Sequence, residues 1–320
     1  MHVKHGGITH RARDRSLMLA ALLLTLAASP SFAQVDFSGE WAPAYHEDGP
    51  ERLPGPEIGD YMGLPINDAA RLRADSYDAD RISVVTEFQC RPHSADYGMR
   101  GAGNLRVWSE IDYNTQKLIA FHTYMAAWGS QRTIWMDGRA HPPPYAEHTF
   151  QGFSTGVWEG NMLTITTTHL KADYYRRNGV PSSDKRTVTE HWVRHGDYLT
   201  DIVVVDDPVF LTEPLVRSEN WYLDPGQKQN VMYCEYVPEV PPTTPGAVPN
   251  HLPGQNPFLN EVADWYGLPE AAVRGGAETM YPEFRLKMGP PHKEPPAHCE
   301  RFCICTTLAD CQLHARPAGR

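Results

Sequence analysis

Cations are scarce. Lys and Arg number 29 against 39 Asp and Glu, so the 320-residue chain carries a formal charge of -10 at pH 7. Such a chain lacks the basic footprint of a general nucleic-acid binder. It also has no broad basic surface for anionic lipid. Beyond the N-terminal segment no apolar run approaches the roughly 20 residues that a spanning helix needs. Nucleotide chemistry has no support, because neither a Gly-x-Gly-x-x-Gly nor a Walker motif occurs. No His-Glu-x-x-His signature exists for a metalloprotease-type site. Gly152-Phe153-Ser154-Thr155-Gly156 lies between strand patterns and not in a strand-to-helix elbow, which argues against a serine nucleophile.

The N-terminus reads as an address. Arg11, Arg13 and Arg15 precede an apolar run from Leu17 to Ala28, and Ser31-Phe32-Ala33 supplies small residues before a cleavage point. That is the three-part pattern of a secretory signal peptide over residues 1–33. A run of about 12 residues is too short for a membrane anchor. The mature protein is expected to begin near Gln34 and to be periplasmic or secreted, with no integral membrane segment after cleavage. Asp14 among the arginines, and no Arg-Arg pair there, speak against a twin-arginine signal.

With 41% hydrophobic and 10% aromatic residues, the chain can build a substantial core. Pro (28) and Gly (25) together make up about one residue in six, which disfavours long helices and favours a loop-rich β body. Successive strands are expected at Leu105–Ile111, Lys117–Tyr124, Arg132–Met136, Thr155–Trp158, Met162–Leu170, Thr187–Arg194, Leu199–Val205 and Leu215–Tyr222. Short strands at this spacing, punctuated by turn residues, predict a mainly-β fold: a lipocalin- or calycin-like antiparallel barrel over 104–239. Residues 34–103 read as an N-terminal arm, with a short strand near Phe37–Trp41 and a helix over 65–75 capped by Asn67 or Asp68. A further strand is expected at Val231–Val237. Residues 240–284 read as a strap with short helices near 258–266 and 270–274. Residues 285–320 read as a Pro- and Cys-rich tail of low order.

Export changes how the cysteines read. Cys90 and Cys234 stand alone in the body and are expected to bond in an oxidising compartment. Cys299, Cys303, Cys305 and Cys311 crowd the tail with a spacing that fits no standard zinc pattern, so a local disulfide knot or a poorly ordered tail is expected there rather than a zinc site.

The blocks Met136-Asp137-Gly138-Arg139, Trp158-Glu159-Gly160-Asn161 and Asp206-Asp207-Pro208, in this order, resemble a widespread group of exported bacterial proteins. The likeness covers roughly residues 80–285. It implies export and a β-rich body, and because the group has no established activity it carries no catalytic residue.

Strand parity selects the candidate site. Leu163 and Ile165 define an apolar face shared by Thr167 and His169. Val188 and Trp192 share theirs with Glu190, and Leu199, Val203 and Val205 share theirs with Asp201. Buried carboxylates need partners. His169, Glu190 and Asp201, with His122 nearby, are therefore the expected acid–base residues, the histidine moving a proton and a carboxylate orienting it. A structural His–carboxylate pair is the plainer alternative. Tyr97 and Arg100, on the loop after Cys90, together with Trp135, Tyr174 and Arg177, are the expected substrate contacts. No cofactor is expected. A transition metal held by His122, His169 and Glu190 is the alternative if the three converge. The tryptophans Trp108, Trp128, Trp135, Trp158, Trp192 and Trp221 either pack the core or line an aromatic cavity. The expected partner is a small molecule, not nucleic acid. The expected function is an exported lyase, isomerase or hydrolase acting on a small organic molecule. The alternative is a non-catalytic carrier binding an apolar ligand in the barrel.

Overall fold

The structure, a computed structural model, describes residues 35–44, 56–78, 89–99, 103–125, 129–229, 234–235 and 250–289. The chain divides into two compact units, Met1–Val35 and Asp36–Arg320. All described residues but Val35 belong to the second. The signal segment, the 231–237 strand expectation apart from Cys234 and Glu235, Trp128 and the cysteine tail lie outside the described residues.

Nine strands close a barrel. In chain order they are β1 (Gly39–Pro43), β2 (Leu105–Ile111), β3 (Leu118–Met125), β4 (Ser130–Trp135), β5 (Phe153–Glu159), β6 (Met162–Thr168), β9 (Thr187–His195), β10 (Tyr198–Asp206) and β11 (Leu215–Leu223). Around the barrel the order is β1, β11, β10, β9, β6, β5, β4, β3, β2, with β2 pairing back to β1. Closure leaves no sheet edge. β7 (Asp173–Tyr174) and β8 (Pro181–Ser182) form a separate small hairpin. The barrel therefore begins earlier than expected: the strand near Phe37–Trp41 is not an arm but the stave that seals the barrel, pairing Trp41 with both Leu223 and Leu105.

The strands arise where alternation is clean. β6 alternates Leu163, Ile165 and Thr167 inward with threonines outward, and β9 and β10 repeat the pattern. All pairs are antiparallel except β4 with β5, where Ile134 meets Ser154 and Trp135 meets Thr155 in parallel. A parallel pair cannot be joined by a tight hairpin. Residues 136–152 make that crossover along the barrel wall. Gly156 in β5 is fixed by packing, because a Cβ there would lie 2.5 Å from Met136 Sδ.

One part of the interior is solid aromatic. The Phe37 ring stacks on Trp158 at 5.6 Å and meets Phe121 and Trp192 edge-on at 5.9 and 5.5 Å. Trp41, Trp192 and Trp221 are fully buried. Packing is thus the role of these tryptophans, while Trp108 stands 40% exposed on the outer wall.

Helices are short. α1 (Asp68–Asp75) has Asn67 as N-cap, its side-chain oxygen accepting from Ala70 N–H at 3.0 Å. α2 (Ala95–Gly98), α3 (Glu261–Tyr266), α4 (Glu270–Val273), a 3-10 turn (Ala277–Met280) and α5 (Pro282–Met288) complete the set. α5 runs four residues into the 285–320 segment expected to be of low order, as far as Met288, with proline at a first-turn position where its missing N–H costs nothing. Among the described residues no helix is long and apolar enough to cross a membrane. Cys90 and Cys234 form a disulfide across a separation of 144 residues.

Candidate functional site

Inside the barrel, strands β4, β5, β6, β9 and β10 each project one polar side chain to a common layer. Arg132, Ser154, Thr167, Glu190 and Asp201 are all buried. Glu190 pairs with both terminal nitrogens of Arg132, Nη1 at 3.1 Å from Oε1. Arg132 Nε donates to Ser154 Oγ at 3.1 Å, and Ser154 Oγ is 2.8 Å from Thr167 Oγ1. Asp201 is completely buried, and neither of its oxygens meets a donor among the described residues. Burial first, and then the charge of Glu190, push its pKa well above the usual carboxylate range. Two like charges this close do not both ionise, so Asp201 keeps its proton and can present the O–H to Glu190.

The arrangement differs from the expected acid–base set in its histidines. β6 ends at Thr168, and His169 takes a left-handed backbone (φ 58°), which turns it out of the barrel. Its Nε2 bonds Pro143 O at 3.0 Å and its Nδ1 lies 2.8 Å from Thr168 Oγ1. A carbonyl only accepts, so Nε2 carries the hydrogen and Nδ1 accepts from Thr168. Thr168 Oγ1 then accepts from His141 Nδ1 at 2.7 Å, and His141 Nε2 accepts from the Thr155 hydroxyl at 2.8 Å. This relay pins the 136–152 crossover to the wall. His122 also faces outward from β3, bonded to Glu110 at 2.7 Å and Thr133 at 3.1 Å and stacked on Trp108. It lies four strands from Glu190 around the barrel and on the opposite face of the sheet. His122, His169 and Glu190 therefore do not converge. Among the described residues no group of three His, Cys, Asp or Glu is placed to hold a metal ion.

The remaining expected contacts scatter. Arg100 lies outside the described residues. Tyr97, in α2, is buried with its ring 3.9 Å from that of His93, nearly parallel. Trp135 faces outward under the Arg139 guanidinium at 3.4 Å. Tyr174 packs against Tyr77, and burial raises its pKa. Arg177 is partly buried in the turn between β7 and β8. The Gly152–Gly156 block has the Gly-x-Ser-x-Gly spacing, yet Ser154 sits mid-strand, bonded to Arg132 and Thr167 and not to a histidine.

α2 covers the barrel beside Arg132. Asp96 receives Arg186 Nη2 at 3.0 Å and Nε at 3.2 Å, both residues being fully buried. Ser94 N–H donates to Asp173 at 2.8 Å. The void between α2 and the polar layer measures about 10 Å³, the lower limit for one water. That void has no room for an organic ligand.

Open space lies elsewhere, and sequence reading missed it. A cavity of about 260 Å³ sits between β11, the segment after β7 and the 3-10 turn. Met62, Leu64, Leu215 and Met280 give it apolar walls, and Arg176 and Arg217 line it with cations. Tyr175 and Val216 complete part of the rim. Gly63 is held by Thr279, its N–H donating to Oγ1 at 2.7 Å, and has φ 78°, with no space for a Cβ beside Met280 Sδ. Arg217 also acts electrostatically on Asp96, whose carboxyl stays below its ordinary range because Arg186 and Arg217 outweigh its burial. The four contributing segments are far apart in sequence, so no local pattern announces the cavity.

No family model, curated protein or solved structure matches the chain.

Proposed function

We propose that the protein is an exported, non-catalytic carrier of a small molecule, held in the cavity beside β11. The observation that carries this reading is the cavity of about 260 Å³ with apolar walls and a few polar groups. That is just below the 300–1,000 Å³ typical of ligand sites, which suits a ligand smaller than a drug. The closed barrel serves as its rigid support. Export rests on the N-terminal pattern and on the cysteine pair, which needs an oxidising compartment.

The experiment is a titration with N-phenylnaphthylamine, a neutral fluorophore that brightens in apolar sites. Wild type should bind it saturably. Val216→Trp should abolish binding with circular dichroism unchanged, because Val216 is 59% exposed and its larger replacement fills the cavity from the rim. Equal binding by the variant would contradict the assignment.

Acid–base catalysis of the lyase, isomerase or hydrolase type is the second reading. It is favoured by one observation, the fully buried Asp201 carboxyl, whose pKa burial and the neighbouring Glu190 raise, beside the Glu190–Arg132 pair. Substrate would have to enter by displacing α2. Turnover by this route should be lost in Glu190→Gln and kept in Val216→Trp.

A further inference from the structure

The chemistry of the cavity wall narrows the ligand. Of the ionisable groups lining it, two are guanidinium groups and none is a carboxylate. The two arginines come from different elements, Arg176 from the loop after β7 and Arg217 from β11. Both are partly buried, so a bound anion would meet them shielded from bulk water, where charge-assisted hydrogen bonds are stronger. Guanidinium presents a planar fork suited to carboxylate or phosphate oxygens. The rest of the wall is thioether and aliphatic: Met62, Leu64, Leu215 and Met280. Methionine adapts to ligands of different outline. Met280 is 54% exposed and stands over Gly63, so it forms an adjustable outer edge.

We infer that the cavity takes a small amphipathic anion, its acidic head between Arg176 and Arg217 and its short apolar body against the methionines and leucines. The inference rests on the carrier reading and specifies its ligand class.

The test displaces N-phenylnaphthylamine from wild-type protein with three molecules of one chain length: octanoate, octanol and octyltrimethylammonium. Inorganic phosphate is a fourth competitor, carrying a head without a body. Octanoate should compete at a concentration at least tenfold below octanol, and the cation and phosphate should be weaker still. Arg176→Gln should remove the octanoate advantage, so that octanoate and octanol displace the fluorophore at similar concentrations. Equal competition by octanoate and octanol in wild type would overturn the anion assignment and leave the carrier reading standing. Phosphate competing as well as octanoate would overturn the amphipathic part. No fluorophore binding by the wild type would overturn both. Arg217→Gln serves as a second variant, read with a melting curve because Arg217 also acts on Asp96.

Discussion

Arg132, Glu190 and Asp201 set the terms inside the barrel. Breaking a buried pair is costly because the survivor keeps an uncompensated charge. Arg132→Met should therefore destabilise the protein by about 3 kcal/mol or more, read by urea denaturation. Glu190→Gln should cost less, because Asp201 can ionise in its place and pair with the same guanidinium. Asp201→Asn should be neutral or stabilising at pH 7. An acid whose folded pKa is raised holds its proton longer in the native state than in the unfolded chain. Its contribution is then complete below the ordinary carboxylate range and is lost as pH rises through the raised value. Asn in its place removes that fall, so the variant's stability should depend less on pH across this window. The parity of β9 and β10 in the sequence already pointed Glu190 and Asp201 inward. Their partner could not be read, because Arg132 lies three strands away from Glu190 around the barrel and parity says nothing about which strands face each other. His169 failed for a local reason: a single left-handed residue after Thr168 reverses the alternation.

At the scale of elements, the barrel strands β2 to β6 and β9 to β11 were legible because their alternation is strong and their turns are rich in Gly, Asp and Asn, whereas the two-residue strands β7 and β8 are too short to show any alternation. The β4–β5 crossover was not, since its 17 residues (136–152) lack any regular pattern. It is held by hydrogen bonds such as those of His141. Burial first, and then His169, hold the His141 pKa below its ordinary 6.5. The unfolded chain therefore takes up the proton first, and stability should fall as pH drops below that value. A smaller loss of melting temperature between about pH 7.5 and about pH 5 is expected in His141→Gln than in wild type. Asp207 ties the β7–β8 hairpin to the end of β10. Its carboxylate accepts from Tyr175 OH at 2.8 Å, from Ser183 N and Oγ at 2.8 and 2.6 Å, and from Val209 N at 3.0 Å. Asp207→Ala leaves these donors buried without their acceptor. A loss of about 3 kcal/mol is expected by denaturant titration, and less than 1 kcal/mol would contradict the tie.

At the scale of the whole molecule, a closed barrel carries the proposed ligand cavity beside β11. The Cys90–Cys234 bond joins the segment before α2 to the chain after β11. Closing so long a loop restricts the unfolded chain, so replacing both cysteines by serine should lower stability by about 4–5 kcal/mol. The disulfide was readable from two isolated cysteines in a chain whose N-terminal pattern predicts export. The cavity was not, because Met62, Arg176, Arg217 and Met280 meet only through the tertiary fold. Hydrogen–deuterium exchange with and without octanoate tests the central claim most directly, since it locates the ligand without assuming a site. The account predicts protection around 61–66, 175–177, 214–218 and 277–281. Protection confined to α2 and β4 would contradict it and place the ligand inside the barrel.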